Sequence, residues 1–483
     1  HSYSSAASDV YKRQDYNPVN VVRVCESLTC ELFGAHKLLQ DIKKLENKNI
    51  KVVPGPCMGR CNVAPTVCVG KNYVDVANFD KVKKTIDEKN FDPFIPDYIN
   101  LSSYKKKGGY EIANKIKNGV ISKKQVLDSL NESGLKGKGG AGFPTGKKWE
   151  IVSNYNGKKY VAVNGDEGEP GTFKDRSYLE SDPHRFLEGA LIASYFINAQ
   201  KVYIYMRDEY PTVIKILLDE INKMEDEEII PKDFFIVRRG AGAYICGEES
   251  AMIESIEGKR GLPRHRPPYV AEIGLFGCPT LTNNLETLFW VRDIIEKGAK
   301  WFAEKGSNGN KGFHSFSVSG RVKNPGVKVA PAGITIQQLI DEYCDGMADG
   351  HTFKGYLPGG ASGGILPATM NDIPLDYGSK ELMDAGCFLG SAAVVVLSDH
   401  DNMKDVALNL LKFFEEESCG QCTPCRSGTE KTVKLMQEKN WNKEKLKDLS
   451  EVMAQASICG LGQAATNPLN SVLKYFSNEI TYD

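Results

Sequence analysis

The sequence has no hydrophobic run long enough to cross a membrane and no excess of charge of either sign. Its longest apolar run, from Cys387 to Leu397, is interrupted by Gly390 and Ser391 and is shorter than the roughly 20 residues that a bilayer-spanning helix needs. Lysine and arginine total 61 against 62 aspartates and glutamates, so no long-range field attracts nucleic acid or anionic lipid. We therefore expect a soluble protein with small molecules or proteins as partners, no nucleic acid and no direct membrane insertion.

Histidine is scarce, and the residue arrangements of hydrolytic enzymes are missing. The seven histidines include no HExxH pair, and no Ser/His/Asp or Cys/His arrangement stands out. Residues 1–19 lack the apolar centre of a secretory signal and show no periodicity, so we interpret them as a tail or an expression remnant. The default expectation is then a cytoplasmic location.

The periodicity of the chain predicts a multidomain α/β protein with a helical end. We expect a small α/β domain at 20–95, a linker and helix at 96–133, a larger domain at 134–311, a third at 312–390 and a helical bundle at 391–483. Strand-like runs alternate with helical patterns in the larger domain, which implies a parallel sheet. No repeat period appears, which disfavours a solenoid.

Eight of the 13 cysteines fall into two tight sets, which in a reducing compartment indicates bound metal. The first set has the spacings C-x4-C and C-x3-C, in loops beside predicted strands, and consists of Cys25, Cys30, Cys57 and Cys61. Two cysteine pairs from two loops can hold the two irons of a [2Fe–2S] cluster. The alternative is a zinc site, although zinc usually binds C-x2-C pairs.

The second set is a C-x2-C-x2-C run, with a fourth cysteine 34 positions later: Cys419, Cys422, Cys425 and Cys459. Three closely spaced thiolates and a remote fourth are the usual way in which a chain holds a [4Fe–4S] cluster. A structural zinc is again the alternative. The remaining cysteines are isolated and are predicted to be small buried hydrophobic residues: Cys68, Cys246, Cys278, Cys344 and Cys387.

A glycine-rich loop at 137–142 satisfies the pattern G-x-G-x-x-G. The residues before it have a helical pattern, whereas an ordinary dinucleotide fingerprint follows a strand. Its backbone N–H groups could still approach a phosphate or a flat ring closely, and Lys147 or Lys148 could add a charge. The alternative is a flexible surface turn.

Two further loops follow strand-like runs and carry acidic residues. The loop 164–171 contains Asp166, Glu167 and Glu169, and the loop 240–249 contains Tyr244 beside a pair of glutamates. Ligands in open α/β sheets bind at the carboxyl ends of strands, and carboxylates suit ribose hydroxyls, which favours NAD over NADP. The alternatives are solvated acidic turns, with Tyr244 and Phe143 filling the core.

These motifs together resemble the NADH-binding flavoprotein subunit of respiratory complex I and of NAD-dependent hydrogenases, including bifurcating ones, and formate dehydrogenases. The segments that carry the resemblance are GKGGAGFPTGKKW at 137–149, NGDEGEPGTFKDR at 164–176, GAYICGEE at 242–249, TNNLET at 282–287 and SCGQCTPCR at 418–426. The resemblance implies a Rossmann-like domain for FMN and NADH, a ubiquitin-like (SLBB) domain and a carboxy-terminal helical bundle with a [4Fe–4S] cluster. The first cysteine set is similar to the thioredoxin-like [2Fe–2S] domain that is fused to this subunit in hydrogenases and formate dehydrogenases.

The resemblance also implies the binding residues. For FMN it implies Gly137, Gly139, Lys148, Asn164, Asp166, Glu167, Gly247, Asn283 and Asn284. For NADH it implies Phe143, Glu169, Tyr244, Glu249, Arg266 and Tyr269, with Gly140 and Glu248 as further cofactor contacts in the same loops. At Arg266 and Tyr269 the family is associated with lysine and phenylalanine, and both changes keep the physical role.

The function implied is hydride transfer between NAD(H) and FMN, followed by single-electron relay to the iron–sulfur clusters. The cofactors do the chemistry, so no catalytic side chain is assigned. The alternative function is an iron–sulfur relay and docking subunit without nicotinamide chemistry. The chemistry of the partner must lie on other iron–sulfur subunits, in a hydrogenase, a formate dehydrogenase or a complex I-like assembly.

Overall fold

The computed structural model describes residues 20–482 and contains three β-sheets followed by a group of helices. The tail predicted at residues 1–19 lies outside the described residues. Within residues 20–482, no helix has both the length and the apolar character that a membrane span requires.

The amino-terminal part of the structure is a four-stranded sheet with helices packed on it. Its elements are β1 (Asn20–Cys25), α1 (Leu28–Leu32), α2 (Ala35–Ile42), β2 (Ile50–Gly55), β3 (Val67–Val69), β4 (Asn72–Val74) and α3 (Phe79–Asp87). Strand β1 pairs in parallel with β2 and antiparallel with β3. Because β1 and β2 are parallel, Cys25 at the end of β1 and Cys57 just after β2 lie at the same end of the sheet.

The central part is built on a four-stranded sheet in which every pair of neighbouring strands is parallel. Its elements are α4 (Leu101–Lys105), α5 (Glu111–Lys117), α6 (Lys123–Ser133), α7 (Thr145–Ser153), β5 (Tyr160–Gly165), α8 (Lys174–Ser181), α9 (Pro183–Ile197), β6 (Lys201–Met206), α10 (Pro211–Asp226), β7 (Phe235–Arg239), α11 (Glu249–Ile256), β8 (Thr280–Asn284), α12 (Leu285–Lys297) and α13 (Ala299–Ala303). The strand order is β7-β6-β5-β8. The predicted parallel sheet is confirmed, and its apolar strands are buried, as is usual for strands that are covered on both faces.

A third, mixed sheet of five strands follows. Its elements are β9 (Phe313–Gly320), β10 (Gly326–Pro331), α14 (Ile336–Gln338), β11 (Phe353–Leu357), β12 (Leu366–Pro367), α15 (Lys380–Asp384) and β13 (Ala393–Ser398). Strands β9 and β10 form a hairpin, and β13 pairs in parallel with β9. A π-helical turn, Leu339–Tyr343, continues α14. This small α/β unit packs against the central part of the chain.

The carboxy-terminal part is helical, as the sequence predicts. Its helices are α16 (Met403–Glu417), α17 (Thr423–Gln437), α18 (Lys443–Ala456), α19 (Gly460–Ala464) and α20 (Asn467–Tyr475). Leu410, Phe414 and Met453 are buried between them, because each helix has one apolar face. Cys422 immediately precedes α17 and Cys459 immediately precedes α19, so the helix packing brings these two cysteines to one place.

Candidate functional site

The three glycine and acid loops meet at the carboxyl edge of the parallel sheet. The acid loop, defined here as residues 164–171, leaves β5, and the Asn164 side chain donates to the Gly247 carbonyl at 2.8 Å. The glycine loop, defined here as residues 137–142, lies beside the end of β8, where a Cβ on Gly139 would be 3.2 Å from the Asn284 Cβ. Parallel strands bring their carboxyl ends to one edge, so the three loops lie at the same edge of the sheet.

The Asp166 side chain is the strongest indication that this region receives a polar ligand. Its Oδ2 atom is buried and has no hydrogen-bond partner among the described residues. Burial raises the pKa of Asp166 well above the ordinary value for an aspartate. A buried polar atom without a partner is costly, and a ligand hydroxyl would satisfy it.

Glu167, next in the acid loop, has a different environment. Its carboxylate accepts hydrogen bonds from the backbone N–H groups of Asp175 and Arg176 at 2.8 and 3.2 Å and from the Tyr210 hydroxyl at 2.9 Å. Burial, with the neighbouring Asp175 carboxylate, raises the pKa of Glu167 to about 7. Its side chain thus holds the start of α8.

A cluster of opposite charges lies between the glycine loop and α11. Lys148 lies 3.3 Å from Glu249, and Arg266 forms ion pairs with Glu248 and, at 3.5 Å, with Glu249. Burial opposes the ionisation of Glu249, but Lys148, the Thr282 hydroxyl and Arg266 outweigh it and lower its pKa. Glu249 is therefore held as a carboxylate, next to a lysine that can meet a phosphate.

Glu169 is fixed by three donors, two of which belong to the mixed sheet. The Ser362 backbone N–H and hydroxyl both lie 2.8 Å from Glu169 Oε1, and the Tyr244 hydroxyl donates to Oε2. These hydrogen bonds favour the carboxylate, but burial has the larger effect and raises the pKa of Glu169 above its ordinary value. A Cβ on Gly360, which has a φ of +81°, would lie 2.6 Å from the Glu169 Cγ, so only glycine allows this approach.

Ser362 is part of the site, but it was not among the residues predicted from the sequence. Its segment, PGGASGG at 358–364, has a glycine density like that of the other loops, and this signal could have identified it. Asn467 in α20 donates to the Ser362 carbonyl at 2.8 Å, which anchors the segment from the other side. The mixed sheet thus supplies one wall of the site.

Of the three aromatic rings predicted to contact NADH, two are exposed and one is packed against the helical part of the chain. Phe143 is 43% exposed and Tyr269 is 57% exposed, which is unusual for large apolar side chains. Tyr244, in contrast, packs edge-on against Phe413 with the ring centroids 5.0 Å apart. The exposed rings fit a planar ligand group that would cover them.

The first cysteine set is brought together as predicted by its spacing. The Sγ atoms of Cys57 and Cys61 are 3.5 Å apart, and all four thiols are buried. Hydrogen bonds from the Cys25 and Cys61 thiols, followed by the charge of Arg207, lower the pKa of Cys57. Hydrogen bonds with Cys30 and Cys57 raise the pKa of Cys25, so the four thiols are immediate neighbours.

The second cysteine set also converges, although Cys459 is remote in sequence. Burial and the neighbouring Cys422, Cys459 and Cys419 thiols raise the pKa of Cys425 to about 12. The Ser418 hydroxyl lies 3.4 Å from the Cys425 Sγ. In the part of the chain that the structure describes, no three His, Cys, Asp or Glu side chains converge as they would around a single metal ion. Each set does provide four thiols, the donors that iron–sulfur clusters use.

The second set adjoins the loop 240–249. The Tyr244 backbone N–H donates to Glu417, two residues before Cys419, at 2.8 Å, and Arg260 donates to the Cys419 carbonyl at 3.2 Å. Of the five cysteines predicted to be buried, four are buried, whereas the prediction is wrong for Cys278, which is partly exposed. That cysteine follows the short turn Leu275–Gly277, at the surface.

Three family models match the chain. The model described as Nuo51 FMN-binding domain matches residues 130–293, the NADH-ubiquinone oxidoreductase-F iron-sulfur binding region matches 405–483, and the thioredoxin-like [2Fe-2S] ferredoxin matches 9–90. Each model coincides with one of the regions that carry the glycine loops or the cysteines.

Curated relatives and solved structures agree with these models. The F 2 subunit of NADH-quinone oxidoreductase from Rhizobium meliloti is 40% identical over 400 residues, which cover 80% of this chain and 94% of the relative. The F subunit of NADH-quinone oxidoreductase from Aquifex aeolicus is 39% identical, over 80% of this chain and 91% of the relative. The structure of an NAD+-reducing [NiFe]-hydrogenase in the air-oxidized state matches with a TM-score of 0.86 and 27% identity, over 99% of this chain and 88% of that chain.

Proposed function

Because the chain belongs to the family of NADH-quinone oxidoreductase F subunits, we propose that it transfers hydride between NAD(H) and FMN and relays single electrons to iron–sulfur clusters. The observation that carries this proposal is the convergence of three ligand-binding loops between two sets of four cysteines. FMN, when bound, accepts a hydride and gives up its electrons one at a time. The chain itself binds, orients and shields the reactants.

The FMN position is defined by the glycine loop, the acid loop and the end of β8. Asp166 has the unpartnered oxygen for a ribityl hydroxyl, and Lys148 offers a positive charge. Gly139 provides the space that a side chain would fill. The further proposed FMN contacts are Gly137, Gly140, Asn164, Glu167, Gly247, Glu248, Asn283 and Asn284.

The proposed NADH position combines the two exposed rings with the fixed carboxylate of Glu169. Phe143 and Tyr269 present open faces, and Glu169 is held by Ser362 and Tyr244. Carboxylates accept hydrogen bonds from ribose hydroxyls and repel an extra phosphate, so we propose NAD(H) over its phosphorylated form. Glu249 and Arg266 complete the proposed contacts.

The two cysteine sets would complete the electron path. We propose that Cys25, Cys30, Cys57 and Cys61 hold a [2Fe–2S] cluster and that Cys419, Cys422, Cys425 and Cys459 hold a [4Fe–4S] cluster. We further propose that electrons leave for other iron–sulfur subunits of a hydrogenase, a formate dehydrogenase or a complex I-like assembly. Thiolate ligands persist in a reducing compartment, which supports a cytoplasmic location.

We propose domain boundaries that follow these sites. They are 20–95 for the [2Fe–2S] domain, 96–133 for the linker and helix, 134–311 for the FMN and NADH domain, 312–390 for the mixed-sheet domain and 391–483 for the helical [4Fe–4S] domain. Contacts of the site join these domains, since Glu169 bonds to Ser362 and Tyr244 bonds to Glu417, so we expect the domains to function together.

The experiment is an NADH oxidation assay on protein loaded with FMN and both clusters, with ferricyanide or a viologen as acceptor. The proposal predicts turnover that falls in Phe143→Ala and Glu169→Ala. An iron–sulfur relay without nicotinamide chemistry would give no turnover and no effect of either change. Elemental analysis must find iron, because zinc in place of iron would contradict the clusters.

A further inference from the structure

The amino-terminal domain is packed tightly against the rear of the acid loop and the end of β6. Arg176 in α8 donates to the Gly59 carbonyl at 2.9 Å, and the Tyr73 hydroxyl donates to the Glu209 carbonyl. A Cβ on Gly59, which has a φ of +63°, would lie 2.1 Å from the Tyr210 hydroxyl oxygen. These contacts hold the cysteine loop, defined here as residues 57–61, in one position on the central domain.

Arg207 lies at the centre of this contact, immediately after β6. Its guanidinium is buried and donates to the Glu167 carbonyl at 2.8 Å through Nη1 and to the Cys57 carbonyl through Nη2. Its Nε atom donates to the Glu209 carboxylate at 3.2 Å. The Arg207 side chain therefore connects the backbone carbonyl of Cys57, a predicted cluster ligand, with the backbone carbonyl of Glu167 in the acid loop.

Arg207 also faces carboxylates that lie outside the cysteine loop. A small cavity beside it is lined by three carboxylates, and Arg207 is the only cationic side chain among the lining residues; the carboxylates are those of Asp166, Glu209 and Glu417. A positive charge in a buried site acts over a longer range than at the surface, because the surroundings screen it less. Loss of this charge would leave the Glu209 carboxylate without its buried ion-pair partner.

We propose that Arg207 is a positioning residue that fixes the cysteine loop against the acid loop and sets the reduction potential of the amino-terminal [2Fe–2S] cluster. The inference rests on the proposed function. Reduction adds one electron to the cluster and makes it more negative, so a nearby cation favours the reduced state. The carboxylate of Glu209 opposes this effect, because it neutralises part of the charge of Arg207.

The test compares three variants of the full-length protein loaded with FMN and both clusters. Arg207→Met removes the buried charge, Glu209→Gln removes its counter-charge, and Arg239→Met is the matched control. Arg239 lies at the end of the neighbouring strand β7, pairs with Asp208 and has a side chain that is 64% exposed. The midpoint potential of each cluster is measured by a redox titration followed by electron paramagnetic resonance.

The proposal predicts shifts of opposite sign in the amino-terminal cluster alone. Its midpoint potential becomes more negative in Arg207→Met and more positive in Glu209→Gln, while Arg239→Met leaves it unchanged. If Arg207→Met does not fold, the sign of the shift in Glu209→Gln decides, and an absent or negative shift overturns the proposal. An unchanged potential in a folded Arg207→Met protein also overturns it. A wild-type protein that lacks an NADH-reducible flavin would instead contradict the proposed function.

Discussion

The hydroxyl of Ser362 gives a sharp test of how the mixed sheet contributes to the NADH site. Ser362→Ala removes the 2.8 Å hydrogen bond from Oγ to Glu169 but keeps the bond from the backbone N–H. A hydrogen bond to a charged group contributes about 1.5–3 kcal/mol, and about 1.4 kcal/mol corresponds to a factor of ten in binding. We therefore expect the KM for NADH to rise by roughly tenfold near neutral pH, with a smaller change in kcat.

The same change has a consequence for the pH dependence. The Ser362 hydroxyl favours the charged form of Glu169, so its loss raises the pKa of Glu169 beyond the increase that burial already causes. In the proposed NADH site, protonation of Glu169 would remove an acceptor for a ribose hydroxyl. As the pH is lowered, the KM for NADH should therefore begin to rise at a higher pH in Ser362→Ala than in wild type.

The assay is steady-state NADH oxidation with ferricyanide between pH 5 and 8, on wild type, Ser362→Ala and the control Ser379→Ala. Ser379 belongs to the same mixed-sheet domain, but its hydroxyl bonds only to residues of its own turn, Glu381 and Leu382. The control should match wild type in KM and in pH dependence. An unchanged KM, or a raised KM with an unmoved acid limb, would refute the role assigned to Ser362.

Three other predictions use different properties of the chain. Cys459→Ser should abolish the [4Fe–4S] resonance and spare the [2Fe–2S] resonance, and Cys57→Ser should do the reverse; loss of both signals in each variant would contradict two separate sites. Gly139→Ala places a Cβ 3.2 Å from the Asn284 Cβ and should weaken FMN binding at least tenfold, as measured by flavin content and equilibrium titration; full retention of flavin would be the contrary result. Burial lowers the pKa of His314 from 6.5 to about 4, so the unfolded chain binds more protons between these values, and stability must fall as the pH decreases through this window. His314→Gln should show a smaller decrease of Tm in a thermal melt across that range, and an equal decrease would argue against this cause.

The sequence predicted the parts of the fold that depend on local patterns. The runs YVAVN and KVYIYM form adjacent parallel strands because they are mostly apolar and are separated by helical segments. The family, the mixed α/β fold class and the cofactor set are confirmed by the matching family models and relatives. The cysteine spacings were informative because ligands on one short loop cannot lie far apart.

What the sequence did not predict depends on contacts between distant segments. Ser362 is 193 positions from Glu169, and no local pattern connects them. Lys138 lies within the glycine loop, yet its ammonium is buried and donates to the Phe313 carbonyl in β9 rather than facing a phosphate. No sequence motif surrounds Arg207, and its contacts form only when the amino-terminal domain packs against the central domain. The contacts of such residues are determined by how the domains pack.

The most direct test of the account is an anaerobic titration of the loaded protein with NADH, followed by visible absorbance and electron paramagnetic resonance. If the chain transfers hydride from NADH to FMN, the flavin absorbance bleaches and the resonance of at least one cluster appears as electrons leave the flavin. Flavin that stays oxidised with excess NADH, in protein that holds FMN and both clusters, would contradict the account.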